Sequence, residues 1–240
     1  MRSVLFLCAT AMITATSAEA FEYSGEVGTT GFGVLTGNAN SDYSRGDIDA
    51  SVELSFSDMF SAQIDVSATG YTGFQSEMSI LSGGLHLSAH PNEKLSVGVF
   101  AYADTLYAYG VIFDASAVGI EGKYALEFSP NSIVDTAVSI GQVSLEGRSV
   151  TAYSLTTSSH LTDNVILNLD SGGYVGDIDG SYFGVGLGYE IAPEFTVSGR
   201  YVRQIFANGY NDAFGLALRY KFGKGSTFGN HQASNVMPGG

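Results

Sequence analysis

Tryptophan is absent from the 240 residues, cysteine occurs once, proline four times, and lysine and arginine together only 10 times. Against 24 Asp and Glu, so few bases leave a formal net charge of −14. That excludes a general nucleic-acid binder, which needs a basic footprint against phosphate. A single cysteine excludes a disulfide framework and a thiolate metal centre. Charged residues are only 14% of the chain and hydrophobic ones 45%, the opposite of a disordered composition. Ala, Glu, Lys, Leu and Arg do not dominate, so a long coiled coil is excluded too. What is abundant is glycine (31), phenylalanine (15) and tyrosine (14).

The first twenty residues read as an export leader. Arg2 gives a positive start, Val4 to Ala15 is apolar, and Ala18-Glu19-Ala20 is a small-x-small cleavage site. Cleavage after Ala20 removes Cys8 and one charge of each sign, Arg2 and Glu19, so the mature chain has no thiol. Cys8 lies too early in the apolar run to be a lipidation site. Beyond residue 20 no stretch reaches the roughly 18 apolar residues of a membrane-spanning helix.

From there the chain alternates with period two. Ile48, Ala50, Val52, Leu54 and Phe56 share one face; Asp47, Asp49, Ser51, Glu53 and Ser55 share the other. Ala62, Ile64, Val66 and Ala68 likewise oppose Ser61, Gln63, Asp65 and Ser67. The rule recurs down to Phe214, Leu216, Leu218, Tyr220 and Phe222. The expected strands are 22–34, 46–57, 61–70, 77–88, 94–104, 115–128, 133–143, 148–158, 164–172, 181–191, 195–205 and 212–222. That is about twelve strands of about ten residues, the length that crosses a bilayer when tilted. Short turns near Asp58, Pro91-Asn92, Pro130-Asn131, Thr162-Asp163 and Ala192-Pro193 alternate with connections expected to be mostly longer, at 35–45, 71–76, 105–114, 144–147, 173–180 and 206–211.

Alternation alone does not say which solvent meets the apolar face. About twelve strands is more than a small soluble barrel needs to fill its interior. A face of Ser, Gly, Asp and Glu suits a wet lumen. Aromatics gather at strand ends: Phe56, Phe60, Phe128, Tyr189, Phe195 and Phe222 toward the short turns, and Phe32, Phe74, Phe113, Tyr174, Phe183, Phe206 and Phe214 toward the longer connections. Two such girdles are expected where a barrel meets headgroups. The fold class is therefore an all-β, transmembrane, antiparallel up-and-down barrel.

The leader, the cysteine-free meander and the final strand Phe214-x-Leu216-x-Leu218-x-Tyr220-x-Phe222 resemble Gram-negative outer-membrane β-barrels, the small porin-like members in particular. The resemblance spans 21–222 as a pattern. It implies an outer-membrane location, contact with lipids, and passage of small hydrophilic solutes or ions. In that family the last strand usually ends the chain at its aromatic, as an assembly signal; here a tail, 223–240, follows Phe222. Monomeric and homo-oligomeric forms both stay open, and a filled structural or adhesive barrel and a lipid-modifying barrel enzyme are the competing readings.

By parity the expected lumen-facing charges are Asp47, Asp49, Glu53, Asp65, Glu121, Lys123, Glu190, Arg200, Arg219 and Lys221. Such charges choose ions in a pore; the plainer role for Arg219 and Lys221 is closure against Glu22 and Glu26 on the first strand. Gly184-x-Gly186-x-Gly188 lies within a strand with no helix after it, so it is no dinucleotide loop but a smooth stretch of lumen wall. Asp177-Ile178-Asp179-Gly180 lacks the remaining ligands of a calcium loop. His86, Ser88 and His90 lie near a short turn with no acid in view to orient a base, so neither catalysis nor a cofactor is expected. His160 and His231 have no evident partner. Arg203 has lipid-facing parity near a longer connection, where it sits in water at the rim or meets lipopolysaccharide phosphate.

Overall fold

A computed structural model describes residues 22–37, 44–73, 78–129, 132–177 and 179–229. Twelve strands follow one another: β1 (Glu22–Gly37), β2 (Ser44–Ser57), β3 (Phe60–Thr72), β4 (Met78–Asn92), β5 (Leu95–Ala108), β6 (Val111–Ser129), β7 (Ser132–Leu145), β8 (Arg148–His160), β9 (Val165–Gly176), β10 (Gly180–Ala192), β11 (Phe195–Phe206) and β12 (Gly209–Phe222). Each pairs antiparallel with its sequence neighbours, and β1 pairs with β12, so the sheet closes as an up-and-down barrel. Closure removes every free strand edge, as a membrane-spanning sheet requires.

The alternation predicted from sequence sorts the two faces. Ile48, Ile64, Leu81, Leu87, Val118, Ile120, Leu187 and Leu216 are exposed on the outside. Ser51, Glu53, Gln63, Asp65, Ser67 and His86 are buried on the inside. An apolar outer belt of this extent is stable only against lipid, because exposing it to water would forfeit the hydrophobic gain of each side chain.

The expected strands all form, but the connections differ from expectation. Segments 105–114, 144–147 and 206–211 are not long loops. The strands run on and reverse in two-residue turns at 109–110, 146–147 and 207–208. Tyr109 and Gly110 have φ of 54° and 76°, and Glu146 and Gly147 of 49° and 80°. Positive φ at both central residues matches the right-handed twist of the flanking strands, so polar, Gly- and Tyr-rich segments that read as loops zip into hairpins instead. Asp177 and Asp179, too few in ligands for a calcium loop, cap the backbone: Asp177 accepts from Ser149 N at 2.8 Å and Asp179 from Gly176 N at 3.0 Å.

The aromatic girdles are thinner than the sequence suggests. Phe56, Phe60, Tyr189 and Phe195 at one rim, and Phe183 and Phe214 toward the other, are exposed outward. Tyr174, by contrast, is buried inside, Phe113 packs against buried Ile80, Leu106 and Ala108, and Phe32 lies against Arg200 on the interior face. Phe113 and Tyr174 lie on strands that run further than expected and carry the alternation to them, while Phe32 shares the interior parity of Glu26 on β1. The leader, Asn40, Phe74, Asn131, Ile178, His231 and the side chain of Phe128 lie outside the described residues.

Candidate functional site

The barrel interior is the site. Its densest chemistry lies on β3 to β6. His86 sits between two carboxylates, with Nδ1 2.5 Å from Glu121 Oε1 and Nε2 2.8 Å from Asp65 Oδ2. The Tyr102 hydroxyl donates to Asp65, and Gln63 Nε2 donates to Asp65 Oδ1 at 2.8 Å. His86 and Asp65 have no exposed surface. The Tyr102 hydroxyl also lies 2.7 Å from Nε2, so both ring nitrogens are engaged, and a doubly protonated ring would donate to both carboxylates. The expectation that no acid accompanies His86 is therefore corrected. The acids come from β3, which pairs with β4, and from β6, one strand further round beyond β5, 21 and 35 residues away in sequence.

Glycine makes this packing possible. Tyr102 lies across Gly84 on the adjacent strand, where a Cβ would collide with its ring. The same device recurs across the lumen. Arg200 reaches Asp170 over Gly184, with Nε 3.0 Å from Oδ1 and a second bond from Nη2. A Cβ at Gly184 would stand 2.6 Å from Asp170 Oδ1. The glycine stripe of β10 is thus a seat for an ion pair. At the seam Arg219 bonds Glu26 and lies 3.7 Å from Asp49, with Gly28 beneath.

Of the other predicted residues, Asp47 is buried and accepts from Arg45 Nε at 2.8 Å and Thr69 Oγ1 at 2.6 Å. Lys123 lies 3.8 Å from Asp135, and Glu190 3.6 Å from His160, so His160 does have a partner. Lys221 stands opposite Glu26 in the β1–β12 register, while Glu22 meets Lys224 at 3.8 Å. Lys94, in the 93–94 turn, bonds Glu127 at 2.8 Å, and that carboxylate raises its pKa. Arg203 stays partly exposed near the rim. It makes a two-pronged pair with Asp212, both bonds 2.7 Å, joined by the Tyr201 hydroxyl at 2.6 Å. The β11–β12 register puts Arg203 opposite Asp212, which sequence parity alone did not pair.

Two features were not legible in advance. The interior is not uniformly polar: Phe100, Tyr102, Ala115, Ala117, Val143, Val150 and Tyr174 form a buried cluster along β5 to β9. The chain beyond β12 also turns back into the barrel. Thr227 donates from its backbone N and its Oγ1 to Glu53 at 2.7 and 2.9 Å. Gln63 bonds the backbone of Phe228 in both directions, at 3.0 and 3.3 Å.

No protein-family model and no curated protein matches the sequence. Solved structures do match the fold. The KdgM porin in complex with disordered oligogalacturonate aligns with a TM-score of 0.58 at 8% identity, over 82% of this chain and 99% of that one. An outer-membrane channel from Pseudomonas putida F1 aligns at 0.57 and 12% identity, over 83% and 95% of the two chains. LpxR from Salmonella typhimurium aligns at 0.57 and 8%, over 82% and 100%. Identities this low speak for the fold alone. By strand number, closure and these likenesses, the chain has the porin-like fold of outer-membrane β-barrels.

Proposed function

We propose that the protein is a passive outer-membrane channel for small hydrophilic solutes, with a weak preference for cations. The observation that carries this reading is the closed twelve-strand barrel with an apolar outside and an acidic, hydrogen-bonding inside. Glu26, Asp47, Asp49, Glu53, Asp65, Glu121, Asp170 and Glu190 outnumber Arg45, His86, Lys123, Arg200, Arg219 and Lys221 on the interior face. A fixed charge of one sign selects mobile ions of the other. The likeness to porins is consistent with this reading.

The contacts of the tail with Glu53 and Gln63 favour a second reading, a barrel whose lumen is filled and whose work is structural. A lipid-modifying enzyme draws support only from the fold shared with LpxR. His86 offers no free nitrogen as a general base, because both nitrogens are committed to carboxylates. Liposome swelling separates the channel from the filled barrel. Vesicles containing the purified protein are expected to swell in small neutral sugars and zwitterionic amino acids and to slow as solute size grows. Absence of swelling with the smallest solutes would overturn the channel reading.

A further inference from the structure

The segment after β12 is built to return into the barrel. Gly223 and Gly225 have φ of 63° and 78°, a region that side chains with a Cβ seldom adopt. Gly225 N bonds Phe222 O at 3.3 Å, closing the reversal. A Cβ at Gly223 would lie 3.1 Å from the Ser24 Cα, so the turn also packs tightly against β1. The chain that follows is aimed inward, and Phe228 is only 3% exposed.

The wall it meets matches a short peptide group by group. The Glu53 carboxylate uses both oxygens on Thr227, one for the backbone N–H and one for the hydroxyl. The Gln63 amide presents its donor to the Phe228 carbonyl and its acceptor to the Phe228 N–H. That is the pairing a neighbouring strand would give an added peptide. The Phe228 ring lies parallel to the His86 imidazole, 5° between planes and 6.1 Å between centroids, within the range of offset-stacked rings. Gly98 leaves room for it: a Cβ there would stand 3.2 Å from Phe228 Cε2. Glu53 and Gln63 flank the 58–59 turn and Gly98 follows the 93–94 turn, so the site lies toward the rim where the chain ends.

We propose that Glu53, Gln63, His86 and Gly98 form a peptide-binding site inside the barrel whose ligand, held in cis, is the Thr227-Phe228 segment, making residues 223–229 a tethered plug that narrows the lumen at that rim. The plug rests on the channel reading. It also explains the buried cluster on β3 to β6, where Asp65 and Glu121 fix the imidazole and the imidazole seats the ring. Because the segment is tethered within a few residues of its site, it rebinds at high effective concentration and needs no strong individual contact.

The test compares single-channel conductance of three forms of the full-length export precursor, each matured in cells. The first is the unaltered chain. The second is truncated after Phe222. The third carries Glu53→Cys and Thr227→Cys, joined by a short reducible bis-methanethiosulfonate that spans the lost glutamate length; Cys8 of the leader is the sequence's only natural cysteine. Truncation is expected to raise conductance about twofold or more, as widening a constriction does. The cross-linked form should stay low and rise on reduction. Equal conductance of truncated and unaltered chains, no change on reduction, or no cross-link formed would overturn the plug while leaving the channel standing. Should truncation prevent assembly, judged by loss of heat-modifiable gel mobility, the pair Thr227→Val and Phe228→Ala replaces it with the same expected rise. Silence of every assembled form would overturn the channel reading, and the plug with it.

Discussion

A histidine clamped by carboxylates on two other strands holds β3, β4 and β6 together at one point of the interior wall. Removing it leaves Asp65 and Glu121 buried with no cation between them. His86→Leu is therefore expected to cost about 3–5 kcal/mol, the usual penalty for breaking a buried charged pair from one side. Adding Asp65→Asn and Glu121→Gln should return much of that loss, since no uncompensated charge then remains. Urea unfolding in lipid vesicles measures both; a single variant within about 0.5 kcal/mol of the parent would contradict the clamp. Gly184 is a second residue whose value lies in what it omits. Gly184→Ala pushes a methyl onto the Asp170–Arg200 pair and is expected to destabilise by roughly 1–3 kcal/mol. Neither role could be read along the chain. Parity placed His86 and Gly184 on the interior face, but the partners come from other strands, Glu121 from two strands away, and only the register brings them together.

At the scale of the strand, period-two alternation found most of the elements, because one face meets lipid and the other does not; 77–88, 133–143 and 148–158 alternate less cleanly and were legible only from their neighbours and β-branched content. Alternation was poor at finding strand ends. Tyr107 and Val111 look like loop residues to composition, yet they extend a hairpin whose turn is only two residues, Tyr109 and Gly110. The same turn at Glu146-Gly147 places a glutamate at φ 49°. Glu146→Asn should raise the unfolding midpoint and add about 0.5–1 kcal/mol, because asparagine adopts the left-handed region at less cost. An unchanged or lower midpoint would mean that the turn is not strained there. The strand count also sets orientation. An even number puts both chain ends on the rim that carries the 58–59, 93–94 and 193–194 turns; the opposite rim holds the widest separations between strands, Gly37 to Ser44 and Thr72 to Met78, and in such barrels the longer connections face outward. Asn208→Cys, at the other rim, should label with an impermeant maleimide on intact cells, and Glu93→Cys only after permeabilisation. The reverse pattern would invert the barrel.

For the whole molecule, the decisive property is the sign of the field inside. The expected interior acids are not free charges: Asp49 lies beside Arg219, Asp47 beside Arg45, and Glu53 is engaged by the tail. On the proposed channel reading that pairing weakens a negative inner field without reversing it, and it sharpens the effect of neutralisation. Changing Asp47 and Asp49 to Asn and Glu53 to Gln together removes three negative charges and takes one carboxylate each from Arg45 and Arg219. Reversal potential across a planar bilayer with a salt gradient reads this directly. The unaltered protein should show a modest cation-selective potential that grows at low salt, where charge is screened over a longer distance than the roughly 10 Å typical of 0.1 M. The triple variant should move toward anions. Anion selectivity in the unaltered protein, or no conductance in any form, would contradict an acidic, open channel.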